Sequence, residues 1–395
     1  MQPAVPERFL DPTSSAFLDD PHATFDRLRG GGLVRDPIGW STLDYATSAE
    51  AFADRSLTPG IDPLLESRGI EPLWGEAGRT LTDSEGDDHR RLRRVVGPWF
   101  TARRVEDLRE RVRELSEALI ASAPADAPFD VMSDFADVVP SRLFCWMVGA
   151  PESDAARLAE LSKTLLTVFT ATPEMVEPVR SAKREMAELT RSLIAERRRQ
   201  PGDDVVSMML AGVGAGDLDD LDLFYLVEEL LSASVDNTAN TTGLAVWVLL
   251  QHREAWSMLG RDPDLVPNAV EECGRFEPAI RHTIKYATDD TAVGGVDIPA
   301  GAFVTIRIAA AHRDPAVFDD PHRFDIRREL PRQQLAFGLG RHFCLGAALG
   351  RMEIAEMVRA LAIHRPDAVI GDDVEMTKNA AGLVHRLDIL PGAPR

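Results

Sequence analysis

Hydrophobic positions along the chain recur mostly with helical spacing. Residues 107–121, 155–168 and 186–199 place apolar side chains at i, i+3 and i+4, which predicts amphipathic helices. Two other stretches predict strands: 33–45 alternates weakly, and 284–314 carries the turn sequences GG and PAG between β-branched runs. The pattern therefore predicts a mainly helical body with small β-sheets inserted in it.

Residues 221–251 predict one long helix with an unusual centre. The segment 232–243 reads SASVDNTANTTG, and Ser, Thr, Asn and Asp compete with a helix for backbone hydrogen bonds. A polar notch in a buried helix indicates either a kink that holds ordered water or the wall of a cavity, and we favour the cavity. Residues 201–220 predict one loop with a brief helix inside it.

Composition adds bounds on organisation and location. The chain has 395 residues, 44% of them hydrophobic, and carries no long linker, low-complexity tract or internal repeat, so we expect a single domain over 1–395. No signal peptide and no apolar run of membrane-spanning length is recognisable, which predicts a cytoplasmic protein that does not enter a membrane. Cys145, Cys273 and Cys344 are too few and too scattered for a disulfide framework.

A net charge of −20 argues against nucleic-acid binding. Against that background residues 89–104, HRRLRRVVGPWFTARR, are rich in arginine and contain no acid. They are either a solvated helix face or a docking surface for an acidic partner.

The chemistry-bearing segment is FGLGRHFCLG, residues 337–346. Gly338 and Gly340 allow a close backbone approach, and the sequence after Cys344 is strongly helix-forming, so the thiol lies near a helix N-terminus that favours a thiolate. A thiolate is a nucleophile or a metal ligand, although a free cysteine is often only a small buried hydrophobe. No base is evident for a nucleophile, and no further ligands stand at zinc spacing.

This segment resembles the haem-binding loop of the bacterial (class I, soluble) cytochrome P450 family, whose pattern is FGxGxHxCLG. Four other segments resemble the family's motifs in matching order, over roughly 9–390: His89 and Arg93 of HxxxR, the distal helix at 221–251, Glu272 and Arg275 of ExxR, and Arg323 in the segment that adds a second arginine to that pair. The resemblance implies a mainly α fold with small β-sheets, a helix-rich triangular prism with haem between the long distal helix and the proximal cysteine loop.

The same resemblance implies a cofactor site. Haem b would be bound with Cys344 as the iron ligand, and dioxygen would be the co-substrate. The residues implied for cofactor binding are His89, Arg93, Ala233, Lys285, Phe337, Gly338, His342, Cys344 and Gly346. His89, Arg93, Lys285 and His342 match the propionate partners, although the family more usually has an arginine where Lys285 stands, and a lysine pairs only as a point charge. Glu272, Arg275 and Arg323 would form a buried structural network.

On the distal helix the chain departs from the family's pattern. Asp236 supplies the usual acid, but Asn237 stands where a threonine normally helps to deliver protons, and Thr238 is turned about 100° from it. These three residues are the catalytic candidates. Asn237 holds a proton-carrying water, or a substrate hydroxyl takes over the relay, or the enzyme is tuned toward peroxide use or oxidative coupling.

The implied activity is a monooxygenase that inserts one oxygen atom into a hydrophobic small molecule, in secondary metabolism. Electrons would come from a ferredoxin and a ferredoxin reductase, with docking at 89–104, and the protein would be a monomer. A non-catalytic recruitment module of the same fold is the alternative of another class. The substrate pocket would include Ile280, Arg281, His282 and Leu383. Arg281 and His282 replace the usual apolar residues; they bind a carboxylate or phenol, or they face away and pair with acids, which we favour.

Overall fold

The computed structural model describes residues 8–71, 73, 79–124, 127–330, 333–377 and 383–390. Helices account for most of these residues: α1 Ser15–Asp19, α2 Pro21–Leu28, α3 Tyr45–Ala53, α4 Ile61–Ser67, α5 Gly86–Val96, α6 Ala102–Ser122, α7 Val138–Val148, α8 Ala155–Leu166, α9 Val176–Arg199, α10 Val205–Ala215, α11 Asp220–Ala233, α12 Asp236–Gln251, α13 Arg253–Arg261, α14 Val266–Phe276, α15 Ile308–Ala311 and α16 Ala347–His364. The strands are short except the last two: β1 Val34–Arg35, β2 Gly39–Thr42, β3 Leu57–Pro59, β4 Phe129–Asp130, β5 Thr283–Ala287, β6 Thr291–Val293, β7 Val296–Ile298, β8 Phe303–Ile306, β9 Val369–Thr377 and β10 Leu383–Leu390.

The mainly helical prediction is confirmed. The three amphipathic segments fall in α6, α8 and α9, and the brief helix expected in the Gly/Asp-rich loop is α10. Asp204 caps α10, since its side chain accepts a hydrogen bond from the Ser207 amide, and Gly216 ends it at φ +80°. No helix among the described residues is long and apolar enough to cross a membrane.

The sheets are small, and the first of them is mixed. Strands lie in the order β1-β2-β8-β5-β3 in the first sheet, where only the β2–β8 pair is parallel, and β4-β10-β9 in the second. Strands β6 and β7 form the expected hairpin, whose turn residues Gly294 and Gly295 both have positive φ, at +57° and +74°. Lys285 lies in β5, which is flanked by β8 and β3 in the first sheet.

The expectation of one unbroken helix over 221–251 is wrong. The helix is interrupted at Ser234 and Val235, so α11 and α12 are separate elements. The Ser234 hydroxyl donates to the Leu230 carbonyl at 2.8 Å, and Asn237 Nδ2 donates to the Ala233 carbonyl at 3.2 Å. The interruption has a physical reason. In an unbroken helix backbone amides donate to these carbonyls, whereas at the notch polar side chains donate to them instead.

The two halves of this interrupted helix have different neighbours. Glu229 of α11 accepts hydrogen bonds from the Leu81 and Thr82 amides, at 2.6 and 2.9 Å, and so ties α11 to the loop before α5. Lys183 of α9 is paired with Glu228 of α11 at 2.9 Å. By contrast α12 packs in the core against α14 and α16.

Candidate functional site

The cysteine loop is held in a tight backbone geometry. Gly338 and Gly340 have φ of +71° and +73°, which L side chains rarely adopt. The Cys344 amide donates to the Phe337 carbonyl at 2.8 Å, and α16 begins at Ala347, just after the cysteine, as the sequence predicts. The Gly346 amide donates to the cysteine sulfur.

Cys344 is exposed, whereas Cys145 and Cys273 are buried. Desolvation nevertheless raises the pKa of the Cys344 thiol, against the opposing effects of the Gly346 amide and the charges of Arg93 and Arg351. A side chain that is accessible but surrounded by protein lies in a concave crevice. This is the environment of a ligand or a reactive group rather than of a packing residue.

The notched helix has an exposed stripe beside the face that packs on α16. Ala233 is exposed and Asn237 and Thr241 are half-buried, although their helices are otherwise in the core, and the three lie one turn apart on one face. Thr238, on the neighbouring face, is buried and lies close to Gly350 of α16. One face of the notched helix is therefore left uncovered next to the face that packs on α16, which is the exposure that the cavity interpretation requires.

Two histidines, a lysine and an arginine cluster at one end of this site. The rings of His89 and His342 lie 4.6 Å apart, and the positive charge of Lys285 acts on His342. Arg93 lies near His89 and donates to the carbonyls of Arg341 and Phe343, at 3.2 and 2.7 Å. The structure thus gathers the four expected propionate partners.

Two members of this cluster are buried with few polar contacts. His89 Nε2 has no hydrogen-bond partner, and Lys285 Nζ lies 6.0 Å from the centre of the Phe52 ring with no hydrogen bond or ion pair to it from the described residues. Burial lowers the pKa of Lys285 to about 8 and that of His342 to about 4, and it also lowers the pKa of His89. Glu85 accepts hydrogen bonds from His342 Nε2 at 3.0 Å and from Arg341 Nε at 2.6 Å, and so offsets only part of the charge.

The proximal network contains Glu272 and Arg275, as expected, but the predicted third member is wrong. Arg275 forms two hydrogen bonds with Glu272, at 2.7 and 2.8 Å, and both side chains are fully buried. The arginine that completes the network is Arg328, whose Nε lies 3.1 Å from Glu272 Oε1. Arg323 contributes only its backbone carbonyl, because its side chain is 64% exposed and pairs with Asp325.

Asp236 is buried on α12, and its Oδ2 accepts a hydrogen bond from Asn240 at 2.8 Å. Burial raises the pKa of this carboxyl to about 6, against the positive charge of Lys163, which itself pairs with Asp137. A carboxyl that titrates near neutral pH can both donate and accept protons.

Thr238 has a partner that the sequence reading missed. Its hydroxyl is hydrogen-bonded to Glu353 of α16, a buried carboxyl whose pKa desolvation raises to about 8. Thr238 therefore faces α16 rather than the exposed stripe of Asn237. The available signal was helical phase, since Glu353 occurs among Ile354, Ala355 and other buried positions of α16.

The expected substrate-pocket residues lie just before β5 or in β10. Ile280 is 37% exposed, and His282 is half-buried. Arg281 pairs with Glu277, both with about one-sixth of the side chain exposed, which confirms the interpretation that it pairs with an acid. Leu383 begins β10, but its side chain lies outside what the structure describes.

The donor set fits an anionic, metal-bearing group. An accessible thiol, backed by a backbone amide and two arginines, suits a soft or borderline metal ion. The orphaned His89 nitrogen and the buried Lys285 ammonium need negative charge or a hydrogen-bond acceptor in the crevice. The carboxylates and iron of the expected haem would supply both.

Comparisons with known proteins agree with this geometry. The family described as Cytochrome P450 matches residues 263–361. The chain is 34% identical to the luteothin monooxygenase of Streptomyces thioluteus, over 92% of this chain and 91% of that protein. It is 33% identical to the 6-deoxyerythronolide B hydroxylase of Saccharopolyspora erythraea, over 96% and 98% of the two chains.

A solved structure agrees on the fold. The cytochrome P450 enzyme CxnD, described as acting in C–S bond formation in chuangxinmycin biosynthesis, superimposes with a TM-score of 0.87 at 28% identity, over 95% of this chain and 96% of that chain.

Proposed function

Because this chain belongs to the cytochrome P450 family, we propose that it inserts one atom of dioxygen into a hydrophobic small molecule of secondary metabolism, by hydroxylation, epoxidation or a related oxidation. The chain is an oxidoreductase, a P450 monooxygenase with haem as its cofactor. The observation that carries the proposal is the accessible thiol of Cys344 beside the buried ammonium of Lys285 and the unpartnered Nε2 of His89.

We propose haem b as the form of the cofactor. Cys344 would ligate the iron, and Phe337, Gly338, Gly346 and Ala233 would line the porphyrin faces. His89, Arg93, Lys285 and His342 would bind the propionates through charge-assisted hydrogen bonds. When bound, the haem supplies the iron at which dioxygen is activated.

Proton handling on the distal side would rest on Asp236 and Asn237. Asn237 Nδ2 is engaged by the Ala233 carbonyl, and among the described residues its Oδ1 has no partner, so the amide can hold a water in the crevice. Asp236, the preceding residue, with its pKa near 6, would exchange protons with such a water. Thr238 would remain hydrogen-bonded to Glu353, on the face of the helix that is turned toward α16, and would not contact this water directly.

We propose an apolar substrate in contact with Ile280, His282 and Leu383. The ion pair between Arg281 and Glu277 supports an apolar substrate, because these two side chains together carry no net charge. A carboxylate on the substrate would then find no free guanidinium at this position.

P450s of bacterial type take electrons from redox partners, and we propose a ferredoxin and a ferredoxin reductase here. The docking surface would be the arginine-rich segment 89–104 of a monomeric, single-domain protein over 1–395. Arg103 is exposed, while Arg90 and Arg94 each pair with one exposed aspartate, and such surface pairs exchange readily with an acidic partner.

Carbon monoxide difference spectroscopy tests the central assignment. The reduced, haem-loaded protein is expected to give the red-shifted Soret band of thiolate ligation, and Cys344→Ser to lose it. Colour and turnover that survive in Cys344→Ser would overturn the proposal. A protein that stays colourless after haem supply would favour the non-catalytic recruitment module.

Asn237 favours a second candidate, an oxidative coupling or peroxide-driven reaction. CxnD, similar over nearly the whole chain, is described as forming a C–S bond. If Asn237 holds the proton-carrying water, Asn237→Thr changes the ratio of product formed to reductant consumed, with Thr241→Val on the same face as the control. Unchanged turnover and unchanged peroxide release would remove Asn237 from proton delivery.

A further inference from the structure

Arg351 lies on α16, seven residues after Cys344, and its guanidinium is held on two sides. The guanidinium carbon lies 4.2 Å from the centre of the Phe337 ring, and Nε is paired with a carboxylate oxygen of Glu271. A planar guanidinium can stack on a ring with its face while it pairs with a carboxylate along its edge. A lysine could not make both contacts in this way.

Glu271 is itself fixed in position. Its second carboxylate oxygen accepts a hydrogen bond from Gln334 Nε2 at 2.7 Å, and Gln334 is only 3% exposed. Gln334 packs flat against Gly274, where an added Cβ would come within 2.6 Å of its Oε1. The pair of Glu271 and Arg351 is therefore anchored to α14, one residue before the buried carboxylate of Glu272.

These contacts lead to the sulfur by a short route. The Phe337 carbonyl accepts the Cys344 amide proton at 2.8 Å, and the Phe337 ring packs against Gly350 of α16. The positive charge of Arg351 attracts negative charge on the Cys344 sulfur. Arg351 thus stacks on Phe337, whose carbonyl holds the Cys344 amide. It also contributes a fixed positive charge that acts on the Cys344 sulfur.

We propose that Arg351, oriented by Glu271, is a positioning residue that limits how strongly Cys344 donates electrons to the haem iron and thereby raises the iron's reduction potential. The inference rests on the proposed function, since it requires iron on Cys344. A fixed cation stabilises charge on the sulfur, and a less basic sulfur favours the ferrous over the ferric state. The carboxylate of Glu271 opposes this effect by partly neutralising the cation.

The two members of the pair therefore predict opposite shifts of the midpoint potential. Arg351→Gln should lower the reduction equilibrium constant roughly tenfold, which is about 59 mV for one electron. Glu271→Gln should raise the potential, because the cation is left uncompensated. Arg351→Lys keeps a charge without the stacked geometry and should fall between wild type and Arg351→Gln. Arg359→Gln, eight residues further along α16, is the matched control and should leave the potential unchanged.

Spectroelectrochemical titration of the haem-loaded proteins decides the matter. Shifts of both variants in one direction, or no shift in either, would overturn the inference, because a purely structural role loosens the loop whichever partner is removed. If Arg351→Gln fails to fold, an upward shift in Glu271→Gln still supports the inference and any other result overturns it. A wild-type protein without the thiolate Soret band removes the proposed function as well, whereas a normal wild-type band with unshifted variants removes this inference alone.

Discussion

Two clusters of buried polar side chains differ in how completely they are paired. Glu272 receives hydrogen bonds from Arg275, from Arg328 and from the Asp325 amide, so its charge is fully compensated by the protein. Lys285 and His89 are also buried, but Lys285 has no carboxylate or hydrogen-bond partner among the described residues and His89 Nε2 has no hydrogen-bond partner. The first cluster is completed by the chain alone and supports the fold, whereas the second is completed only by an anionic cofactor.

The largest effect should follow from breaking the compensated cluster. Glu272→Gln leaves the guanidinium of Arg275 buried without its carboxylate and should cost about 3–5 kcal/mol in the free energy of unfolding. Urea denaturation of the haem-free protein measures this. Arg323→Ala, which removes an exposed side chain, is the control and should stay within about 0.5 kcal/mol of wild type. A small loss in Glu272→Gln would contradict the comparison.

Breaking the uncompensated cluster should affect the cofactor rather than the fold. Lys285→Met removes a buried cation that has no carboxylate partner among the described residues, so the haem-free protein should be as stable as wild type or more so. Haem affinity should fall about tenfold or more, the equivalent of one charge-assisted hydrogen bond. Haem transfer to an excess of a competing apoprotein gives the ratio. Equal haem retention would show that Lys285 does not contact a propionate.

Alkaline pH should sharpen the contrast between the haem-free and haem-loaded forms. The pKa of Lys285 is lowered to about 8 in the haem-free fold, below its unfolded value of 10.5, so the unfolded chain binds more protons between these pH values. This group therefore makes the haem-free fold more stable as pH rises from 8 toward 10.5. An anionic propionate raises the same pKa, so binding takes up a proton and haem affinity falls as pH rises above 8. Haem retention from pH 7 to 10 checks this, and Lys285→Met should flatten the profile.

The smallest effect is expected where a cation near the pocket already has its partner. Arg281 pairs with Glu277, and Arg281→Ala should leave the preference for anionic ligands unchanged across a series of carboxylates. Spectral binding titrations measure that preference. A selective loss of carboxylate binding would show instead that the guanidinium faces the substrate.

The sequence could predict residues that belong to short motifs, but not contacts that depend on how distant segments pack. Cys344 in its glycine turns and Glu272 with Arg275 one helical turn away could be recognised because they resemble family motifs of fixed spacing, whereas the residues alone left the role of Cys344 open. The sequence could not show whether Arg323 or Arg328 reaches Glu272. Both lie in an irregular segment, where spacing along the chain does not predict the direction of a side chain. Helical phase indicates that Glu353 is buried, but the sequence could not show that its partner is Thr238, since this depends on how two distant helices cross.

The interruption at Ser234 and Val235 has a mechanical consequence. A continuous helix transmits a tilt along its whole length, whereas one with a joint can bend there at the cost of a few hydrogen bonds. Here the joint separates α11, which Glu229 ties to the Leu81 and Thr82 amides, from α12, which packs against α14 and α16. A displacement of α11 at this joint would therefore leave in place the contacts between α12 and α16, the helix that follows Cys344.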